Sequence, residues 1–171
     1  MSSMRRPTTF ELSAAPGAVA RIFGHGNPAR WAWLHADLGG GDVLEVVAAV
    51  SHRPGLDRLP ALPMVQLRFG GRDWPTNPLA GAVRFRCEPT LPTWRLVGRA
   101  GDRRLRVTVT LPEDRCVEIG YTDPDGSTAT CTNSERADAS IVLERRSGAT
   151  WRLEREWRLD GTAHAEVGTR P

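Results

Sequence analysis

The sequence contains no lysine, and all 23 of its basic residues are arginine. The arginines are spread along the chain among 20 acidic residues, so the formal net charge is only +3. A nucleic-acid-binding domain normally carries a clustered basic stripe. The nearest candidate, residues 99–106, is interrupted by Asp102. We therefore attribute the lack of lysine to coding bias and predict no nucleic-acid partner.

Cysteine is scarce, since only Cys87, Cys116 and Cys131 are present and no C-x-x-C spacing occurs. A disulfide framework is expected to use an even number of cysteines, and a zinc knuckle uses closely paired ones. Neither pattern is present. We expect three thiols that behave as small buried apolar groups in a reducing compartment.

Long apolar runs are also missing. No segment is long and apolar enough to span a bilayer. The N-terminus begins with a basic Arg5-Arg6 pair, but the apolar stretch that a secretory or twin-arginine signal requires does not follow it. The sequence therefore predicts a cytoplasmic protein with no membrane span.

Helical periodicity is almost absent, whereas apolar residues alternate and Gly, Pro and Asp recur at roughly 8–12 residue intervals, as in all-β proteins. Segments with this alternation lie at residues 10–12, 19–23, 31–38, 43–51, 64–69, 72–74, 83–88, 94–99, 105–111, 115–122, 127–132, 139–145, 151–159 and 162–167. Short connections favour antiparallel neighbours.

A long antiparallel meander either closes or leaves exposed edges. We therefore predict an all-β fold: a single antiparallel, up-and-down, lipocalin-like barrel of about ten strands. It forms one domain over residues 1–171, in which little order is expected for the N-terminal segment 1–18.

The most informative segment is residues 30–38. A strand has a side-chain period of two. One face would carry Trp31, Trp33, His35 and Asp37. The other would carry Ala32, Leu34, Ala36 and Leu38. A strand without a solvated face is buried on both sides or lines a cavity that needs a few polar groups. We expect Trp31 and Trp33 to line such a cavity, with a plain core position as the structural alternative.

Two stretches resemble a known family. The string Gly-His-Gly-Asn-Pro-Ala-Arg-Trp-Ala-Trp at residues 24–33 resembles the segment that opens the C-terminal half of tocopherol-cyclase-like and carotenoid-hydratase-like proteins, and the tail at residues 159–168 is similar to how such chains end. The resemblance implies two lipocalin-like halves and apolar, terpenoid-like ligands. It also implies proton-driven cyclisation or hydration without a metal. This chain has room for one half, so a homodimer that supplies both halves stays open.

Two His/acid pairs are candidates for proton transfer. His35 and Asp37 lie two positions apart on a strand, with β-carbons about 7 Å apart. A carboxylate can hold an imidazole tautomer and raise its basicity. His164 and Glu166 repeat the spacing near the C-terminus. If the barrel closes, the first and last strands are neighbours and the two pairs could meet. Polar pairs on a solvated strand are the structural alternative.

Three further residues are candidate ligand contacts. Asn133 could donate to a ligand carbonyl and Glu135 could act as an acid, although residues 130–136 could equally form a solvated loop with a salt bridge. Arg155 shares parity with Trp151 and Trp157, which suggests a buried guanidinium. Such a group needs a carboxylate partner or marks an anionic ligand group.

The leading functional hypothesis is a barrel that binds an apolar, terpenoid- or polyene-like small molecule. It would need no cofactor, and His35 and Asp37 would handle protons in a cyclase, hydratase or isomerase. A non-catalytic binding module is the first alternative, because lined barrels bind more readily than they catalyse. The second alternative is a non-haem metal enzyme, because His35, Asp37 and His164 resemble a two-histidine, one-carboxylate triad.

Overall fold

The computed structural model describes residues 11, 13 and 26–171. Its elements are β1 (Arg30–Gly39), β2 (Asp42–Val50), β3 (Leu62–Phe69), β4 (Arg72–Trp74), α1 (Pro78–Gly81), a 3-10 turn (Ala82–Arg84), β5 (Phe85–Glu88), β6 (Thr93–Ala100), β7 (Arg103–Thr110), a second 3-10 turn (Glu113–Arg115), β8 (Val117–Thr122), β9 (Thr128–Ser147) and β10 (Thr150–Thr169). The predicted strands at 10–12 and 19–23, and the predicted segment 1–18, lie outside the described residues except for positions 11 and 13. No helix in the described part of the chain has the length and hydropathy needed to cross a membrane.

The ten strands form one antiparallel sheet in the order β4-β3-β2-β1-β10-β9-β7-β6-β5, and β8 pairs with the first part of β9. The predicted all-β antiparallel class and the number of strands are confirmed. The first and last described strands, β1 and β10, are direct neighbours. An isolated bridge between Ala61 and Cys87 links the β3 side of the sheet to its other edge at β5.

Strands β9 and β10 are each 20 residues long and form one hairpin, where the sequence predicts four shorter strands. The predicted turn at Gly161 is instead an irregularity within β10. Gly161 has a φ of +63°, and the pairing register with β9 shifts between Leu159 and Ala163. The amide N–H of Gly161 donates to Asp138 Oδ1 at 2.7 Å. A glycine with positive φ can form a bulge that bends a strand without ending it, so β10 continues and reaches β1.

The inner face of the sheet is apolar and closely packed. Among its least exposed large side chains are Leu34, Leu44, Trp94, Leu96 and Ile141, each below 2% exposure. They belong to one cluster to which all the strands except β8 contribute. Burial of apolar surface, at about 25 cal/mol per Å², is the main source of stability in such a core. The space enclosed by the inner face of the sheet is therefore filled by the protein's own side chains.

The turn end of the β9–β10 hairpin is held by ion pairs. Arg104 donates two hydrogen bonds to Glu144, at 2.7 and 2.9 Å, and Arg103 donates two to Glu154, at 2.9 and 2.5 Å. The hydrogen bonds from Arg104 hold the pKa of Glu144 below its usual range, and those from Arg103 do the same for Glu154. Part of the basic stretch at residues 99–106 therefore binds carboxylates of the same chain.

A second polar network ties the loop before β1 to the β8–β9 turn and the C-terminus. Asn27 donates to both carboxylate oxygens of the buried Asp123, at 2.9 Å from its backbone and 2.7 Å from its side chain. Arg170 lies 3.4 Å from the same carboxylate and donates to the carbonyl of Asn27 at 3.2 Å. Because a buried carboxylate needs such partners, this network holds the start of β1 against the end of β10.

Candidate functional site

The two faces of strand β1 lie in different surroundings. Its inner face carries Ala32, Leu34 and Ala36, which are fully buried in the core. Its outer face carries Trp31, Trp33, His35 and Asp37. Trp31 is nevertheless buried, at 7% exposure, in a second small cluster with Ala129 and Cys131. The prediction that the aromatic face lines the main interior is therefore wrong, whereas the alternative of a plain core position holds for Trp31. The reason is steric, since the interior is already filled by large apolar side chains and leaves β1 room for alanine and leucine.

Two outer side chains of β1 meet at a carboxylate of β2. Glu45 is the direct cross-strand partner of His35. Its Oε1 hydrogen-bonds His35 Nδ1, and its Oε2 accepts from Trp33 Nε1 at 3.3 Å. The side chains of His35 and Glu45 are 23% and 39% exposed, so the pair is only partly solvated. Because an ionised carboxylate accepts from Nδ1–H, the neutral imidazole keeps its lone pair on Nε2, which is the nitrogen that can take up and release a proton. No described residue bonds that nitrogen.

A second imidazole lies directly opposite the first. His164 of β10 is the cross-strand partner of His35. The ring of Trp33 packs edge-to-face on it, with centroids 4.5 Å apart. Asn133 Nδ2 lies 3.0 Å from His164 Nε2, and Glu135 Oε1 lies 3.3 Å from the same nitrogen. Neutral Nε2 can accept from Asn133, whereas protonated Nε2 can donate to Glu135. His164 is therefore supplied with a partner in either protonation state.

Glu166 is the third acidic centre of this face. Its Oε1 accepts from Trp31 Nε1 at 2.9 Å, and its Oε2 accepts from Cys131 Sγ at 3.4 Å. Burial, together with the negative charge of Glu166, raises the pKa of the Cys131 thiol to about 12. Burial and then Glu166 also raise the pKa of Tyr121, whose ring centroid lies 6.4 Å from that of Trp31. Cys131 is therefore protonated at neutral pH and is not an activated nucleophile.

A glycine makes room for the Trp31 ring. Gly168 is the cross-strand partner of Trp31. A β-carbon at Gly168 would lie only 2.0 Å from the Trp31 ring. The indole therefore lies directly over the backbone of β10, in a position that any larger residue at 168 would block. This close contact brings Trp31 Nε1 to the Glu166 carboxylate.

The predicted site residues fall into two groups. Seven of the nine lie together on this outer face: Trp31, Trp33, His35, Asn133, Glu135, His164 and Glu166. We call this group, with Glu45, the histidine–tryptophan face. Asp37 and Arg155 lie outside it.

The expected His35–Asp37 pair does not form. Asp37 is exposed, and its Oδ1 accepts from the amide of Gly39 at 2.9 Å. Direct cross-strand partners lie about 5 Å apart, closer than residues two apart on one strand. For that reason His35 bonds Glu45 instead.

The expected burial of Arg155 is also wrong. Arg155 is exposed, and its guanidinium lies 5.8 Å from the centre of the Trp157 ring. A register shift between Leu153 and Arg155 breaks the alternation on which the prediction depended. Of the residues in that pattern, Trp157 and Leu159 are buried but Leu153 is 62% exposed.

Glu45 is a residue of this candidate site that the sequence prediction missed, although a signal for it existed. The hairpin turn at residues 39–42 was recognisable, and the register that it sets places Glu45 opposite His35. Tyr121 offered no such signal. Its approach to Trp31 depends on β8 pairing with the far half of β9.

Within residues 11, 13 and 26–171, no group of three His, Cys, Asp or Glu side chains is placed to hold a metal ion. The proposed triad required Asp37 beside both imidazoles, and the structure does not bring it there. The two-histidine, one-carboxylate site is therefore not assembled in the described part of the chain.

A cleft of about 320 Å³ lies away from the histidine–tryptophan face. It is formed where β4 and α1 meet the β6–β7 turn, and Trp74, Asn77, Arg84 and Asp102 are among its lining residues. None of the predicted site residues lines it. It therefore adds nothing to the acid–base cluster described above.

These features define an all-β antiparallel protein with a cluster of histidine, glutamate and tryptophan side chains on the outside of its sheet. Comparison with known proteins gives its family: the tocopherol cyclase-like family matches residues 4–169, and the chain belongs to that family. The sequence-based resemblance is confirmed.

Two uncharacterized proteins from two strains of Mycobacterium tuberculosis are similar to this chain. Each is 50% identical over 163 residues, which is 95% of this chain but 46% of the relative. The chain therefore spans about half the length of these relatives. No solved structure matches it.

Proposed function

We propose that the protein binds an apolar, terpenoid- or polyene-like small molecule on the histidine–tryptophan face and moves protons on it as a cofactor-free cyclase, hydratase or isomerase. Membership of the tocopherol cyclase-like family supports this class of chemistry. The observation that carries the proposal is His35, whose Nδ1 is bound by Glu45 while Nε2 has no partner among the described residues.

In this proposal His35 is the acid–base group and Glu45 positions it. A neutral imidazole accepts a proton at Nε2 while the Glu45 carboxylate stabilises the resulting imidazolium through Nδ1–H. The same Nε2 then returns the proton to a second position on the ligand. In a hydration the proton is taken from the water whose oxygen adds to the ligand, and it is returned to the carbon next to the new C–O bond. One proton is taken and one is given back, so the protein ends each cycle in its starting state.

Aromatic and aliphatic side chains beside His35 would hold the apolar part of the ligand. The Trp33 ring packs on His164, and Val47 of β2 is the direct cross-strand partner of Trp33. Val47 and its cross-strand partner on β3, Met64, are 38% and 40% exposed. Exposed apolar side chains next to a few fixed polar groups are typical of small-molecule sites. Trp31, Asn133, Glu135, His164 and Glu166 complete the proposed ligand contacts.

The test is turnover of the ligand that stays bound through native purification, identified by mass spectrometry. His35→Ala should lower turnover at least tenfold, because it removes the proton-transfer group, and should leave ligand retention within twofold. His52→Ala is the matched control, since His52 is exposed outside the strands. Equal turnover in wild type and His35→Ala would refute the proton-transfer role.

A second candidate function is non-catalytic binding of the same class of ligand. The exposed apolar side chains of Val47 and Met64 beside Trp33 favour binding without requiring any proton transfer. Titration with cis-parinaric acid, a fluorescent polyene, measures binding without turnover, and Trp33→Ala should weaken it at least fivefold. Recovery of the natively bound ligand unchanged after incubation with the wild type would favour the binding module over the enzyme.

The oligomeric state belongs to the same proposal. Because the chain spans 46% of its relatives, a homodimer would supply two barrels, and light scattering at micromolar concentration should then report twice the 18.8 kDa chain mass. Full turnover by a monomer would show that a second barrel is not needed for activity. We also propose the cytoplasm as its location, where the three free cysteines stay reduced.

A further inference from the structure

The outer sides of β5, β6 and β7 carry a concentration of arginine. The outward residues of these strands include Arg86, Arg95, Arg99, Arg104 and Arg106, and we call this surface the arginine face. The pairing register makes it continuous: Arg86 and Arg106 flank Val97 in one row, and Arg99 lies opposite Arg104 in the next.

The charge of the arginine face is only partly neutralised. Glu144 pairs with Arg104 and lies 3.4 Å from Arg106. Arg86, Arg95 and Arg99 form no ion pair with any described residue, and even Glu88, the cross-strand partner of Arg95, forms none with it. Five arginines against Glu88 and Glu144 leave a surplus equal to the formal net charge of +3 of the whole chain. Summed over the sequence, the remaining residues therefore have a formal net charge of zero.

Exposed apolar side chains lie on the arginine face and in the segment that leads into β5. Val97, in the middle of the arginine face, is 46% exposed. Leu79 of α1 and Val83 of the following 3-10 turn lie just before β5 and are 73% and 81% exposed. These are the two most exposed large apolar residues in the described part of the chain. Such exposure costs free energy in water and indicates a surface that meets an apolar partner.

We propose that the arginine face, with Leu79 and Val83 beside it, docks onto the surface of an anionic lipid bilayer. Guanidinium groups would pair with lipid phosphates. Leu79 and Val83 would enter the acyl boundary, as apolar side chains of peripheral proteins do. Single-stranded nucleic acid is disfavoured, because the outer sides of these three strands carry no aromatic side chain on which a base could stack.

This inference goes beyond the proposed function and does not depend on it. A bilayer is where apolar ligands of the proposed class accumulate, so docking would bring the protein to them. The histidine–tryptophan face involves β1, β2, β9 and β10, whereas the arginine face involves β5 to β7. The two surfaces can therefore be disrupted separately.

The test is co-sedimentation of the full chain with vesicles of phosphatidylcholine alone or mixed with phosphatidylglycerol. We expect binding to the anionic vesicles only, weakening as salt rises. Since one arginine near an anionic surface contributes about a fivefold change in affinity, the triple variant Arg86→Ser/Arg95→Ser/Arg99→Ser should bind roughly 100-fold more weakly. The triple variant Arg58→Ser/Arg72→Ser/Arg152→Ser removes the same charge from exposed positions elsewhere and should lose at most fivefold.

A second pair of variants tests the apolar contact. Leu79→Ser/Val83→Ser should remove the part of vesicle binding that persists at high salt, whereas Leu56→Ser/Leu59→Ser, at exposed loop positions, should retain it. Equal binding to neutral and anionic vesicles would overturn the proposal, as would equal losses in the two triple variants. Tighter binding of an RNA oligonucleotide that displaces the protein from vesicles would assign the surface to nucleic acid instead. Turnover of detergent-dispersed ligand is measured without vesicles, so the proposed function is tested independently of vesicle binding.

Discussion

The two ends of β10 use glutamate in different ways. At the turn end, Glu144 of β9 and Glu154 of β10 are bound by arginines, which stay charged at every physiological pH and hold both carboxylates ionised. At the other end, Glu45 and Glu166 are bound by imidazole, indole and thiol groups, none of which carries a permanent charge. The carboxylates at the first end are held by permanent positive charges, whereas those at the second end are held by neutral or titratable donors. The proposed acid–base chemistry is therefore placed at the second end.

The largest expected effect comes from crowding the histidine–tryptophan end. Gly168→Ala places a β-carbon 2.0 Å from the Trp31 ring, so the ring or the strand must move. We expect a loss of about 2–3 kcal/mol in the free energy of unfolding, measured by urea denaturation. Gly120→Ala is the control, because its β-carbon would have no neighbour within 4 Å. Similar losses in both variants would contradict the close packing of Trp31 on β10.

A smaller effect is expected at the arginine-bound end. Glu144→Gln weakens two charge-assisted hydrogen bonds to Arg104 and should lower the free energy of unfolding by about 1–2 kcal/mol. Glu156→Gln breaks the more exposed pair with Arg158 and should cost less than about 0.5 kcal/mol. If the two variants lose the same amount, Glu144 is no more structural than a surface acid.

The smallest effect concerns acid sensitivity. Glu144 and Glu154 have lowered pKa values because Arg104 and Arg103 bond their ionised forms. Their contribution to stability is therefore complete above the ordinary glutamate value of 4.5 and is lost as pH falls through the lower folded values. The urea midpoint of the wild type should decrease from pH 5 to pH 3, and this decrease should be shallower in Glu144→Gln. Parallel curves would show that these ion pairs do not contribute to acid sensitivity.

Much of the fold follows from local pattern. The alternation of apolar residues predicted the all-β class and the main strands, and the short Gly-rich turns predicted antiparallel neighbours. The long β9–β10 hairpin could not be predicted, because a glycine with positive φ serves equally in a turn and in a bulge. At Gly161 the choice depends on a hydrogen bond to Asp138 of the other strand.

The candidate site was predicted in composition but not in orientation. Trp31, Trp33, His35, His164 and Glu166 were all recognised, yet alternation alone does not say which face of a strand is inner. The neighbouring strands decide that, since their inward side chains set the space available. The partner of His35 was misassigned because cross-strand register outweighs spacing along one strand.

The most direct test of the proton-transfer claim compares two glutamates by turnover of the natively bound ligand. Glu45→Gln removes the carboxylate that positions His35, and Glu144→Gln removes a carboxylate held only by arginine. We expect turnover to fall at least tenfold in Glu45→Gln, with ligand binding retained, and to change less than twofold in Glu144→Gln. Unchanged turnover in Glu45→Gln, or equal losses in both variants, would contradict the assignment of His35 and Glu45 as the site of acid–base chemistry.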